Sequence, residues 1–324
     1  MPIEFRTVIA VACGLFVAQA YAQSVKDYPD KAVRWVVPFT PGASNDVIAR
    51  LVAVKLLDAW GQQFIIDNRP GAGGLIGADT VAKAAPDGYT LLLSNPGPNV
   101  NSPLLSKKSP YKVEDFAPVI YFGYAPLLIL ANPALPVRNP KELIEYMKAN
   151  QGGINWGSSG TGSSLHIGLA VLQAATGIKV THIPYKGSAP AITDLIGGQL
   201  QFMHTTTVSA ETQIKAGRVR VVALASAKRS PLLPDVQTLA ESGIKDAEAI
   251  VWFGMAAPAG TPRAIIDKLN AECNKILQMP DVKRRLDELG LEVQGGTPEQ
   301  FATFVKKEAE RLQKLIKDGA LTRE

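Results

Sequence analysis

Short runs rich in β-branched and aromatic residues alternate with stretches whose apolar residues recur every three to four positions. This alternation leaves few folds open. Ala32 to Phe39 (AVRWVVPF) reads as a strand, and Ser44 to Trp60 as a helix with Ile48, Leu51, Val52 and Leu56 inward, stopped by Gly61. Phe64 to Asp67 reads as strand, Leu75 to Ala85 as helix and Tyr89 to Leu93 as strand, which completes a βαβαβ block. Two strands joined through a helix pair in parallel, because the helix carries the chain back along the sheet. The fold class that follows is α/β, with mostly parallel sheets flanked by helices.

A second block opens after Asn132-Pro133. Helices Pro140 to Asn150, Ser164 to Ala175, Pro190 to Ile196 and Ala210 to Ala216 alternate there with strands Ile154 to Gly157, Lys179 to Pro184, Leu200 to Met203 and Val219 to Ala225. The tail holds helices opened by Thr261-Pro262 and Thr297-Pro298, the latter with Gln300 completing a capping box. Along the last helix Phe301, Phe304, Val305, Leu312, Leu315 and Ile316 share one apolar face, which needs a sheet to cover. Apart from Ile250 to Ala256 the tail has no strand of its own, so it is expected to return to the first block. The first lobe is then discontinuous, residues 23–122 and 252–324, around a second lobe of residues 123–251. Crossings near Val119 to Leu130 and Ala247 to Ala257 would form a two-strand hinge.

The chain has 324 residues, 46% of them hydrophobic and 19% charged, which exceeds the usual size of one domain and supports two. Thr7 to Ala18 is apolar, follows Arg6 and leads to Ala20-Tyr21-Ala22, the small-x-small pattern of a signal peptidase site. Residues 1–22 are therefore expected to be a secretory signal peptide. That run is too short to span a bilayer, and no second long one follows, so the mature protein should be soluble. Cys273 alone remains after the leader, so no intrachain disulfide forms. Its place on a stripe with Ile265, Ile266, Leu269, Ile276 and Leu277 marks a buried thiol rather than a nucleophile. The net charge of +5 is modest and spread without basic clusters, which argues against nucleic acid and suits attraction of small anions.

Three glycine-rich loops each follow a strand and open a helix. In the first, VPFTPGASND, the amides from Gly42 to Asn45 would stand unpaired at the positive end of a helix dipole, with Ser44 able to cap. The second, Gly157 to Ser164 (GSSGTGSS), adds hydroxyls to the same arrangement, and Leu165, Leu169 and Leu172 follow at helical spacing. Two such helix starts, one from each lobe, could hold an anion between them without a buried Arg. The third, Arg69 to Gly77 (RPGAGGLIG), looks like a dinucleotide fingerprint. That fingerprint needs an acidic residue closing the next strand, and here the strand ends in Ser94-Asn95.

Catalytic and metal motifs are missing from the sequence. His166, His182 and His204 lack metal-ligand spacing, and the G-x-S-x-G pattern fails at Thr161. No cofactor is expected. His166, near a helix start, reads as structural or ligand-contacting, and Asp46 as a first-turn complement to the dipole. The alternative from another class is an extracytoplasmic hydrolase using His166 and a loop serine. A further one is a ligand sensor for a membrane signalling partner.

The runs Tyr28 to Arg50, Asp67 to Gly74, Pro86 to Leu92, Gly157 to His166, Pro184-Tyr185-Lys186-Gly187 and Gly197-Gly198-Gln199 together resemble the Bug-type receptors of tripartite tricarboxylate transport systems. The resemblance runs in order along essentially the whole mature chain. It implies a periplasmic solute-binding protein of the type II-like fold, two α/β lobes closing as a Venus flytrap on a carboxylate, partly through ordered water. Membrane components of a tripartite transporter would be its partners, and the receptor would act as a monomer. Carried over by position, first-lobe contacts would be the loop with Phe39, Thr40, Gly42, Ala43, Ser44 and Asp46, and the strand end Ser94-Asn95. From the second lobe come Ser158, Gly162, Ser163, Ser164 and His166, with Tyr185 and the loop Thr205-Thr206-Thr207 lining the pocket. The family usually reads Pro-Gly-Gly where this chain has Pro41-Gly42-Ala43, and Asp near the pocket side of a strand where Gln201 stands.

Overall fold

The computed structural model describes residues 27–317 and positions 319, 321 and 323. The expected leader lies outside them. The apolar run before Pro38 forms β1 (Val33–Val37), and the periodic stretch after it forms α1 (Ser44–Trp60). Burial of Ile48, Val52 and Leu56 anchors the helix to the sheet, each side chain contributing about 1.5–3 kcal/mol. The chain continues through β2 (Phe64–Asn68), α2 (Leu75–Ala82), β3 (Thr90–Ser94), a helical segment ending in α3 (Ser102–Leu105), and the long β4 (Phe116–Pro126).

The second block comprises β5 (Leu128–Ala131), α4 (Pro140–Ala149), β6 (Asn155–Ser158), α5 (Ser164–Thr176), β7 (Thr181–Pro184), α6 (Ser188–Ile196), β8 (Phe202–Thr205), α7 (Thr207–Lys215) and β9 (Arg220–Leu224). The tail adds β10 (Ile250–Pro258), α8 (Arg263–Gln278), α9 (Pro280–Glu288), β11 (Glu292–Val293) and α10 (Pro298–Lys317).

These strands make two sheets, one in the order β11-β4-β10-β3-β1-β2 and the other β7-β6-β8-β5-β9. Within the blocks β1 pairs in parallel with β2 and β3, and β6 with β7 and β8. Where the chain passes between sheets the pairing is antiparallel, β10 against β3 and β4, and β5 against β8 and β9, so both sheets are mixed. The passage itself is laced by main-chain bonds: Leu127 donates to Ala249, Ala249 to Ala225, and Ala225 back to Leu127, at 2.8–2.9 Å.

The apolar face of α10 is covered as its pattern demands. Tyr121 on β4 stacks on Phe301 and Phe304 at 5.5 and 4.6 Å, and Trp252 on β10 meets both rings edge-on. Cys273 is fully buried and burial raises its thiol pKa, as befits a core residue. Two features escape the sequence pattern. The helical segment over residues 97–105 carries Pro98 and Pro103, which mask its period, and β11 has only two residues, tied to β4 where Tyr124 bonds Glu292. No helix of the described residues is long and apolar enough to cross a membrane.

Candidate functional site

In both sheets the parallel strands end on the same side, where each hands over to a helix. Open α/β sheets bind ligands at such carboxyl ends. The loop after β1 leads into α1, that after β6 into α5, that after β7 into α6 and that after β8 into α7. Residues of all four helix starts line one cavity between the lobes, of about 30 Å³. Ser44 and Asn45 come from α1, Ser164 and Leu165 from α5, Ser188 from α6, and Thr206 and Ser209 from the start of α7. Each helix start carries about half a positive charge, so four together set a positive potential. No Lys, Arg, His, Asp or Glu lines the cavity.

The donors are arranged as follows. Helix α1 starts from Ala43 and α6 from Gly187, neither with a side-chain cap. Ser163 caps α5 by accepting from the His166 amide at 3.3 Å, and Thr206 caps α7 by accepting from the Ser209 amide at 3.3 Å. The amides of Ser164 and Leu165 precede any intrahelical partner. Ser164 Oγ, Thr205 Oγ1 and, deeper, Ser94 Oγ are buried without a hydrogen-bond partner. An unpaired buried hydroxyl costs about 1–3 kcal/mol. One water needs roughly 10–15 Å³, so the cavity accommodates about two.

Of the residues expected from sequence, Phe39, Ala43, Ser44, Asn95, Ser164, Thr205 and Thr206 line this cavity. Thr40, Gly42, Asp46, Ser94, Ser158, Gly162, Ser163, His166 and Tyr185 do not. The amides of the first loop are less free than expected: Gly42 donates to Asp46 Oδ2, Ala43 to the Thr40 carbonyl, and Ser44 to Ser209 Oγ across the lobes. Ser44 does not cap α1, because the cap position falls on Ala43. Ala43 has φ −71, open to any residue, so the departure from Pro-Gly-Gly is harmless. Asp46 is tied to Arg50 and Asn68 behind the loop. Burial opposes its ionisation, but Arg50, the Gly42 amide and Asn68 outweigh that and lower its pKa.

Thr40 Oγ1 is buried against Gly187. The Gly162 amide is occupied by His166 Nδ1 at 3.2 Å, and its α-carbon faces Ser102 rather than the cavity. His166 stacks on His182 at 4.1 Å. Ser158, fully buried, lies 2.6 Å from His182 Nε2 and accepts from the Gly160 amide, a pairing that secures the loop with no open face on the serine. Tyr185 is turned to Asp194 at 2.6 Å; burial, then that carboxylate, push its phenol up to about 12. Gln201 sits ahead of β8, at the end opposite Thr205, and accepts from the Asn155 amide at 2.8 Å, so its place is structural rather than pocket-side.

Ser159, Ser188, Ser209 and Val251 line the cavity without having been singled out. Ser159 and Ser188 lie inside or beside quoted motifs, but only the fold brings Ser209 and Val251 to face them.

The chain matches the family described as tripartite tricarboxylate transporter family receptor over residues 48–321. Its structure is similar to that of the periplasmic binding protein BugD, with 37% identity and a TM-score of 0.88 over 92% of this chain and 100% of that one. Rpa4515 of R. palustris with adipate gives 35% identity and 0.88 over 91% and 99%. MatC of Rhodopseudomonas palustris with bound malate gives 33% and 0.85 over 89% and 100%.

Proposed function

Because this chain belongs to the tripartite tricarboxylate transporter receptor family, we propose that it captures a small carboxylate between its lobes and delivers it to the membrane components of such a transporter. Receptors of this family are periplasmic solute-binding proteins, and the leader at residues 1–22 would bring this one to the same compartment. The observation that carries the reading is the cavity itself, where four helix starts and the unpaired hydroxyls of Ser164 and Thr205 converge with no charged side chain among them. Such a lining suits an anionic oxygen and little else. Relatives of similar fold hold adipate and malate, which supports a dicarboxylate as the cargo.

In this reading one carboxylate accepts from the Asn45 amide of α1, from the first-turn amides of α5 and from the hydroxyls of Ser164, Thr205 and Thr206, with ordered water filling the remaining positions. The lobes are residues 23–122 with 252–324, and residues 123–251, closing about the passage at Leu127 and Ala249. The receptor acts as a monomer, without cofactor or metal, and performs no chemistry on its cargo. Thermal shift followed by calorimetry against malate, adipate, succinate and benzoate tests this. A carboxylate at a hundredfold its dissociation constant should add about 2.7 kcal/mol of stability and be recovered unchanged. No stabilisation by any of them, or turnover of a bound acid, would overturn the proposal.

A further inference from the structure

The third glycine-rich loop, which the dinucleotide pattern does not explain, lies against the second one across the gap between the lobes. A Cβ placed on Gly73 would stand 2.0 Å from the Thr161 carbonyl oxygen. A Cβ on Gly160 would stand 2.8 Å from the Gly73 nitrogen. The contact is therefore reciprocal and made by backbone on both sides, which no rotamer change can relieve. Two further glycines at the same seam face side-chain oxygens: a Cβ on Gly162 would stand 2.9 Å from Ser102 Oγ, and one on Gly187 would stand 2.1 Å from Thr40 Oγ1.

We infer that Gly73 and Gly160 are positioning residues for capture, their bare backbones letting the two lobes seal beside the cavity. The inference rests on the reading of the protein as a receptor that closes on a carboxylate. Neither glycine lines the cavity, so neither touches the cargo. A methyl group at either would clash with the facing loop only when the lobes are shut, and so disfavour the closed form relative to the open one. The apparent dissociation constant then rises in inverse proportion to the closed fraction.

Both glycines have positive φ, 64 for Gly73 and 121 for Gly160, so a substitution also strains the backbone. Gly61 and Gly177 provide controls matched in φ to Gly73, at 67 and 71, with nothing within 4 Å of where a methyl group would stand, whereas Gly160 at 121 carries more backbone strain than either. The experiment compares Gly73→Ala and Gly160→Ala with Gly61→Ala and Gly177→Ala by calorimetry, using as probe whichever of malate, adipate and benzoate binds the wild type most tightly. All four should melt earlier than wild type. Only the first two should lose about tenfold or more in affinity, and only they should keep a larger radius of gyration in small-angle scattering with saturating probe. Affinity loss no greater than in the controls would overturn the inference. Should Gly73→Ala be too unstable to purify, Gly160→Ala makes the same test from the opposite loop. Failure of the wild type to bind any of the three would instead strike at the functional reading.

Discussion

The main-chain amide of Ser44 donates to Ser209 Oγ across the gap between the lobes at 3.0 Å. Ser188 and Thr206 approach the same oxygen at 3.2 and 3.3 Å, so one hydroxyl joins the starts of α1, α6 and α7. Ser209→Ala should weaken carboxylate binding about three- to tenfold, the worth of one hydrogen bond, with little change in melting temperature without ligand. An unchanged affinity in calorimetry would remove the bond from the closing step.

Ser164 and Thr205 should show the opposite balance. Their hydroxyls are buried and unpaired, so Ser164→Ala and Thr205→Val should leave the free protein as stable as wild type or more so. Carboxylate affinity should fall about tenfold in each. Urea denaturation and calorimetry on the same preparations check both halves, and destabilisation of the free protein would count against the assignment.

With no ionisable side chain on the cavity wall, affinity should be flat in pH. Between pH 7 and 9 the dissociation constant for a fully ionised dicarboxylate should change by less than about twofold. A steep loss of affinity over that range would point to a titrating cation in the grip.

Stability, unlike affinity, should respond to acid. Burial, and then the neighbouring His166, lower His182 from 6.5 to about 4, while burial alone lowers His204 to about 3. On unfolding both regain an ordinary histidine value, so below about pH 6.5 the unfolded chain binds more protons than the folded one. The melting temperature should therefore fall as pH drops from 6.5 to 4, and His182→Gln should flatten part of that slope. A slope identical to wild type would exclude His182 as its source.

Asp46→Asn should cost about 1–3 kcal/mol in urea denaturation at neutral pH, since the carboxylate holds Arg50, Asn68 and the Gly42 amide together. The folded-state pKa is lowered, so this stability is present above the ordinary carboxylate range and is lost as pH falls through the folded value. The gap between variant and wild type should narrow accordingly in acid.

Much of this was legible because the architecture puts its site where local signals change. Ser44, Ser164 and Thr206 stand at the junctions of strand and helix, and there the switch from a period of two to one of 3.6 is visible in the chain itself. Helix α1 ends at Gly61 as its sequence announces, whereas α7 starts three residues earlier than periodicity suggests, because Thr206 supplies the cap. What could not be read is proximity. Ser209 lies in the first turn of a helix of ordinary pattern, and its meeting with Ser44 depends on how two sheets face each other. The amides of Gly42 and Gly162 look free in sequence, but Asp46 and His166, each four residues on, curl back to occupy them.

The six-stranded sheet draws β10 and β11 and the cover of α10 from the far end of the chain, whereas every strand of the five-stranded sheet falls between residues 128 and 224. This connectivity allows one order of assembly. During synthesis or export the inner lobe can close on itself while the outer one still waits for its central β10, and only the arrival of Phe301 and Phe304 on Tyr121 completes it.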